Sequence, residues 1–193
     1  PENFTNAVAS NTRAFFAESL GNPKLDVLDL KAIADTAKAA KVPFIVDNTV
    51  ASPALLNPIA HGANIVIHSL TKYLTGNGTS LGGIIIDAGT FDWANGNFPE
   101  FTEPNPSYHG LNYHEALGAI AFIAKVRIEG LRDLGSAPSP FNSFQTIQGI
   151  ETLDIRMKKH SENALKIAAW LSTKEEVAWV NYPGLKSSTY NGL

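Results

Sequence analysis

Three short apolar runs in the first half of the sequence are each followed by polar side chains of the kinds that binding sites use. These residues are Glu18, Ser19 and Asn22 after the first run, Asp47, Asn48 and Thr49 after the second, and His68, Ser69, Thr71 and Lys72 after the third. In open α/β sheets, ligands bind beyond the carboxyl ends of the strands. If the runs are parallel strands of one sheet, these side chains therefore meet at one sheet edge.

Four of these side chains have complementary chemistry. Ser69 and Thr71, beside the backbone N–H groups of a tight turn, predict a phosphate site. Lys72 comes three residues after a buried run, where partial desolvation would favour the neutral, nucleophilic amine. Asp47 would be a buried carboxylate that needs a cationic partner. A phosphate site, a lysine that forms a Schiff base and an acid facing a ring nitrogen are together what pyridoxal phosphate requires of a protein.

Each of these residues also has an ordinary structural explanation. A single Lys is usually a solvated surface residue, and a single Asp after a strand is usually a turn former or a cap. Because these residues all lie at the strand ends, a functional role and a structural role are about equally well supported for them as a group.

The elements that must position these side chains alternate over the first 90 residues. Apolar runs predict strands at 14–17, 44–47, 65–69 and 82–87. Helical spacing of apolar residues predicts one helix from Asp29, with Asp26 or Asp29 as its N-cap, and a short second helix at about 53–61. Strands and helices in alternation predict an α/β fold with a mainly parallel sheet sandwiched by helices.

The second half of the sequence predicts a long loop, two helices and a strand. The loop, 88–112, is rich in Pro, Gly, Asn and aromatic residues, which favours an ordered lid or wall. The helices are expected at 115–134 and 149–171, and the strand at 178–182, with a linker at 136–140. The polar side chains that we expect to face solvent on the last helix are Glu151, Asp154, Arg156, Lys158, Lys159 and His160. We predict that residues 1–148 are the central part of a large domain, and that 149–193 are a linking helix and the start of a smaller α+β domain.

The composition excludes several classes of protein. The chain has 193 residues, 44% of them apolar, and a formal net charge of −3, unlike a disordered chain. The negative charge argues against a nucleic-acid partner, and the lack of Cys removes disulfides and thiol catalysis. No apolar run approaches the roughly 20 residues that cross a bilayer, and no secretory signal is visible. We therefore expect a soluble, cytoplasmic protein with no membrane partner.

Two further patterns predict little. The five His residues have no metal-ligand spacing, so we expect no metal site. The Gly-rich segment 75–83 leads into a strand, whereas a dinucleotide-binding loop follows a strand and opens a helix. We interpret this segment as a flexible turn that lets the backbone pass close to a ligand.

Several motifs occur together along nearly the whole chain: Glu18-Ser19 with Asn22-Pro23, Val46-Asp47-Asn48-Thr49, His68-Ser69-Leu70-Thr71-Lys72-Tyr73, Gly82-Gly83, Gly149-Ile150-Glu151-Thr152-Leu153 with Arg156-Met157 and His160, and Tyr182-Pro183-Gly184-Leu185. Together they make the sequence similar to the Cys/Met-metabolism family of pyridoxal-phosphate enzymes, which have fold type I. The resemblance implies a large domain of that fold and a bound pyridoxal 5'-phosphate.

The resemblance also implies roles for individual residues. Lys72 would form the Schiff base with the cofactor and later move protons at the substrate. Asp47 would pair with the protonated pyridine nitrogen, and Asn22 would donate a hydrogen bond to the ring hydroxyl. The two hydroxyl residues of the lysine motif would bind the phosphate. The full set of cofactor-binding candidates is Asn22, Asp47, Thr49, Ser69, Thr71 and Lys72, and Lys72 is the catalytic candidate.

The loop segments Phe91-Asp92-Trp93 and 101–110 resemble most the family members that exchange the acetate of O-acetylhomoserine for sulfide or a thiol. This implies a γ-replacement that gives homocysteine or a thioether, in methionine and cysteine biosynthesis. Two alternatives stay open: a γ-lyase of the methionine or cystathionine type, and a non-catalytic α/β fragment. The resemblance also implies a homo-oligomer, a dimer of dimers. A stacking aromatic, a Gly-rich phosphate loop and an arginine for the substrate carboxylate lie outside this sequence, so we expect a part of a longer protein.

Overall fold

A four-stranded sheet forms the centre of the structure, a computed structural model that describes residues 1–193. The strands are β1 Phe15–Glu18, β2 Phe44–Asp47, β3 Ile65–Ser69 and β4 Gly83–Asp87, and they lie side by side in sequence order. The first three are parallel, and β4 runs antiparallel to β3. The predicted mainly parallel sheet is thus confirmed, and the carboxyl ends of β1, β2 and β3 share one edge.

The helices cover both faces of this sheet and extend beyond it. They are α1 Glu2–Ala7, α2 Leu30–Ala39, α3 Ser52–Leu55, α4 Pro99–Thr102, α5 Tyr113–Leu117, α6 Ala121–Lys125, α7 Arg132–Leu134, α8 Pro140–Glu151 and α9 Leu153–Leu171. None of them combines the length and the apolar content that crossing a membrane requires.

One face of the sheet packs against α2. Asp29 is the N-cap, since its carboxylate accepts a hydrogen bond of 3.0 Å from the Ala32 amide. The core on this face consists of Phe15, Leu30, Ile33, Ala34, Ala37, Val42, Phe44, Val46, Ala63 and Val66. Gly62 follows the turn Pro58–His61 with φ +96°, and a Cβ there would lie 2.8 Å from that of Ala34. A side chain at this position would therefore push α2 away from the sheet.

The other face packs against the aromatic part of 88–112 and the helices that follow it. This core contains Ile65, Trp93, Phe98, Phe101, Tyr113 and Ala121. The Trp93 ring stacks on Phe122 with centroids 5.1 Å apart, and on Phe101 at 4.3 Å. The loop is therefore an ordered wall, and it contains two short helical segments, α4 and Pro106–Tyr108.

The predicted helix at 115–134 is interrupted. Gly118, with φ +52° and ψ −122°, ends α5 in a conformation that L-residues rarely adopt. The helix resumes at Ala121 and widens into a turn of larger radius at Val126–Leu131 before α7. The second short helix predicted at 53–61 is likewise divided, into α3 and the turn Pro58–His61.

The last third of the chain differs most from the prediction. The helix expected at 149–171 is two helices, because the backbone at Thr152 (φ −108°, ψ 5°) separates α8 from α9. The strand expected at 178–182 is wrong: these residues pair with no strand, and a strand is stable only beside a partner. The domain boundary at 148/149 stays a prediction.

Candidate functional site at the carboxyl edge of the sheet

The carboxyl ends of β2 and β3 place two candidate side chains on the same face of the sheet. Successive side chains of a strand alternate between faces, and Ile45 and Ile67 pack on the aromatic side. Asp47 and Ser69 each lie two residues further along their strands, so they share that face. Asp47 pairs with Ile67 in the ladder. The acid and the serine are therefore neighbours across adjacent strands.

The loop after β2 is tied to the end of β3 by Thr49. One carboxylate oxygen of Asp47 accepts a 2.9 Å hydrogen bond from the Thr49 amide. The Thr49 hydroxyl in turn accepts a 2.8 Å bond from the Ser69 amide. Asp47 is half-buried and has no cation within ion-pair distance. Its carboxylate is thus held in place by the backbone and keeps an oxygen for a cationic ligand.

A buried polar network on the opposite face supports this loop. The Ser19 hydroxyl donates to the Asn48 side-chain oxygen at 2.7 Å. The Asn48 amide group donates to the carbonyls of Ser52 at 3.1 Å and Leu56 at 2.9 Å. Asn48 is fully buried, and unmade hydrogen bonds there would be costly. The network therefore anchors the ends of β1 and β2 directly behind Asp47.

Lys72 lies in a wide turn, Leu70–Leu74, between β3 and the glycine-rich segment. Its backbone (φ −94°, ψ −127°) departs from helical geometry, and its side chain is exposed with no hydrogen bond or ion pair. Its carbonyl accepts a 2.9 Å bond from the Gly76 amide. The amine is therefore available to react, while the backbone that carries it is held.

The glycine-rich segment runs back beside this turn. The Leu70 amide donates to the Gly82 carbonyl at 2.9 Å. The Thr71 hydroxyl accepts from the Gly82 amide at 3.1 Å and lies 3.3 Å from the Gly82 carbonyl. The interpretation of 75–83 as a turn leading into a strand is confirmed, since β4 begins at Gly83.

Asn22 is exposed in the loop after β1, at the same sheet edge. Its backbone amide donates a 2.7 Å hydrogen bond to the Glu18 carboxylate, and its side chain makes no hydrogen bond within the chain. The structure therefore brings Asp47, Thr49 and Ser69 together and places Thr71 and Lys72 just beyond them, but it joins Asn22 to none of these by a hydrogen bond.

His68, on the face opposite Asp47, is a buried imidazole at 4% exposure whose Nδ1 has no partner. Burial lowers the pKa of His68 below its ordinary 6.5, although the Asn48 backbone and the Asp47 charge act in the opposite direction. The folded protein therefore favours the neutral ring.

Stability should fall in acid because of His68. The unfolded chain takes up a proton near pH 6.5, whereas the folded chain takes it up only at lower pH, so this contribution to stability is complete above 6.5 and is lost as the pH falls. Urea unfolding of the apoprotein between pH 5 and 7.5 measures the effect. His68→Gln should flatten the dependence in that window, and parallel curves for the two proteins would contradict the assignment.

The wall loop is fastened to the helices by a second polar cluster. Glu129 accepts hydrogen bonds from Asn105 at 2.6 Å, Lys125 at 2.6 Å and the Tyr113 hydroxyl at 3.0 Å. Burial acts to raise the pKa of Glu129, but these donors outweigh it and lower the pKa. Burial together with the neighbouring carboxylate raises the pKa of Tyr113. The cluster explains why this loop is ordered.

Arg156 corrects the sequence-based expectation for the last helix. The other members of that polar face are exposed, but Arg156 is half-buried and its guanidinium donates a 2.7 Å bond to the Gly149 carbonyl. Sequence reasoning missed this residue because its partners belong to α8 and to the turn after Lys72. No group of three or more His, Asp or Glu side chains in residues 1–193 is arranged to hold a metal ion.

The mainly parallel sheet flanked by helices matches the large domain of the pyridoxal-phosphate-dependent proteins of fold type I. A family model described as Cys/Met metabolism PLP-dependent enzyme matches residues 1–191, and the chain belongs to this family.

Relatives with high identity are named as a sulfhydrylase and a synthase. The chain is 57% identical over 195 residues to an O-acetyl-L-homoserine sulfhydrylase of Leptospira meyeri, covering 97% of this chain and 44% of that protein. It is 45% identical over 196 residues to a homocysteine synthase of Schizosaccharomyces pombe, covering 100% of this chain and 46% of that protein. The chain therefore spans less than half the length of these relatives.

A solved structure has the same fold over nearly the whole chain. It is an O-acetylhomoserine (thiol)-lyase described as putative, from Campylobacter jejuni, which contains N'-pyridoxyl-lysine-5'-monophosphate. Its TM-score is 0.93 at 41% identity, and the match covers 98% of this chain and 47% of that one.

The side chains of the candidate site fit pyridoxal phosphate. Asp47 offers a carboxylate without a cationic partner, which suits a protonated ring nitrogen. Lys72 offers an unpaired amine for a Schiff base. The Ser69 hydroxyl makes no hydrogen bond within the chain and suits a phosphate. The Thr71 hydroxyl is hydrogen-bonded to Gly82, so a phosphate would have to share it with that residue.

Proposed function

We propose that the intact protein is an O-acetylhomoserine sulfhydrylase that exchanges the acetate of O-acetylhomoserine for sulfide or a thiol, in methionine and cysteine biosynthesis. The reaction breaks the Cγ–O bond, releases acetate and forms a Cγ–S bond, which gives homocysteine when sulfide is the nucleophile. The observation that carries the proposal is the placement of two side chains at one edge of the sheet: Asp47, a carboxylate with no cationic partner, ends β2, and Lys72, an exposed amine with no partner, lies in the turn after the adjacent parallel strand β3. The names of the relatives support the choice of substrate.

Each residue of the site has a role in this proposal. Lys72 would hold the cofactor covalently, yield it to the substrate amine and then move protons at Cα and Cβ. Asp47 would keep the ring nitrogen protonated. When bound, pyridoxal phosphate supplies an electron sink for the carbanion next to the amino group.

The remaining candidates would bind rather than react. Ser69 and Thr71 would bind the phosphate, and Asn22 would donate to the ring hydroxyl. Thr49 is better suited to orienting Asp47, because its backbone amide donates to the Asp47 carboxylate and its hydroxyl already accepts a bond from the Ser69 amide. We retain it as a residue of the cofactor site in that supporting role.

The proposal also includes a homo-oligomer, a dimer of dimers, in the cytoplasm. Helix α8 supports it, because Phe141, Phe144 and Ile147 follow one another at three-residue spacing and are 58–67% exposed. Aromatic and aliphatic side chains in such a row are typical of a surface that is covered in an assembly.

Product analysis with O-acetylhomoserine, with and without sulfide, tests the proposed reaction. We expect homocysteine and acetate to form in equal amounts with sulfide, and little 2-oxo acid. Release of ammonia and a 2-oxo acid at a rate that sulfide does not change would instead assign a γ-lyase. An intact protein that turns over neither way while loaded with cofactor would leave only a non-catalytic α/β protein.

A further inference from the structure

The turn that carries Lys72 is held from behind by α8 and α9. Leu74, at its end, packs against Leu153 and Met157 of α9. The next residue, Thr75, is buried, and its hydroxyl lies 3.0 Å from that of Thr146 on α8. The C-terminal helices therefore contact the backbone that presents the catalytic candidate.

The backbone of α8 at Gly149 packs directly against the carbonyl groups of this turn. A Cβ added to Gly149 would lie 2.6 Å from the Leu74 carbonyl oxygen and closer still to that of Thr75. Both contacts are with backbone, which cannot move aside as a flexible side chain can. No residue larger than glycine fits here unless α8 separates from the turn.

Arg156 joins the carbonyl groups that this approach brings together. Its guanidinium donates to the Gly149 carbonyl at 2.7 Å, lies 3.5 Å from that of Leu74, and donates from Nε to the Thr152 hydroxyl at 3.1 Å. Gly76, at φ +85°, lies beneath it, since a Cβ there would be 2.7–3.1 Å from guanidinium atoms. A planar cation with five donors suits this arrangement, and a lysine does not.

Resting on the function proposed above, we propose that Arg156 is a positioning residue for Lys72. It holds the Leu74–Gly76 backbone against α8, and the bond from the Gly76 amide to the Lys72 carbonyl passes this restraint to the lysine. The simpler role, a cation at the C-terminal end of α8, would stabilise that helix without affecting the turn.

Hydrogen exchange on the intact apoprotein separates the two roles without using activity. Arg156→Lys keeps a cation near α8 but loses the planar guanidinium that reaches the Gly149 and Leu74 carbonyls together. In this variant we expect the Thr75 and Gly76 amides to exchange about 10- to 100-fold faster. Amides of β3 should be unchanged. Thr146→Val, which removes only the hydroxyl beside Thr75, should give a smaller increase at Thr75. Lys158→Met is the matched control: Lys158 lies on α9, as Arg156 does, but is exposed, so its replacement should change neither amide.

The absorbance of the cofactor-loaded protein gives the second measurement. If the lysine is displaced, the pH midpoint at which the lysine-bound cofactor changes its absorbance should shift in Arg156→Lys and not in Lys158→Met. Exchange that is unchanged at Thr75 and Gly76, or that rises equally over the whole chain, would overturn the proposal. A protein that binds no cofactor would instead refute the proposed function, while the exchange data would still decide the role of Arg156.

Discussion

Replacing Lys72 with alanine is expected to abolish covalent attachment of pyridoxal phosphate and to reduce turnover of O-acetylhomoserine by at least about 10²- to 10⁴-fold. That range is what one positioned acid–base group usually contributes, and Lys72 would supply the covalent anchor as well. Borohydride reduction followed by peptide mass analysis shows whether the cofactor is bound to the 70–76 segment. Steady-state rates with sulfide give the loss of activity.

Two comparisons make this experiment specific. Lys72→Arg keeps a positive charge in the turn but forms no stable Schiff base, so it should lose the yellow colour as the alanine variant does. Lys31→Ala, at an exposed position paired with Asp35, should keep both colour and rate. Wild-type absorbance in Lys72→Ala, or labelling of a different lysine, would remove Lys72 from the proposed role.

Much of the fold follows from local pattern. Strands β2 and β3 and helix α2 are predictable because their apolar residues are buried or half-buried where the period places them, and the N-cap Asp29 directly precedes the helix that it caps. Strand β4 is predicted from its apolar run, although Ile84 and Ile85 are exposed. The interruption at Gly118 and the break at Thr152 were missed, since a helical period continues across both positions. The strand at 178–182 was wrong for a different reason: pairing depends on a partner strand, which no local pattern reveals.

The site divides in the same way. Asp47 and Lys72 can be located because Asp47 ends β2 and Lys72 comes three residues after β3, and the ends of parallel strands converge. The residues that hold them cannot, since their partners are distant in sequence. Ser19 meets Asn48 across 29 positions, and Arg156 meets Leu74 across 82. A charged side chain on a polar helix face has the same local pattern whether it meets water or a backbone carbonyl.

The charge of Asp47 can be tested separately from its size and its hydrogen bond to the loop. Asp47→Asn is nearly isosteric and still offers an oxygen to the Thr49 amide, so the turn after β2 should persist. What it loses is the charge that would face the protonated ring nitrogen. We expect turnover to fall about 10²- to 10³-fold, the usual effect of removing one preorganised electrostatic partner, while the cofactor stays attached to Lys72.

A variant that keeps the cofactor attached to Lys72 but turns over slowly would show that Asp47 acts on the reaction and does not only support the structure. Borohydride trapping should give the same cofactor content in Asp47→Asn and wild type, with rates measured on the same samples. Asp35→Asn, on the exposed face of α2, serves as the control for loss of one negative charge and should turn over normally. An Asp47→Asn protein with full activity would show that the acid only shapes its loop. The charge at the end of β2 would then have no part in the chemistry, and the placement of Asp47 and Lys72 at the same sheet edge would no longer support the proposed reaction.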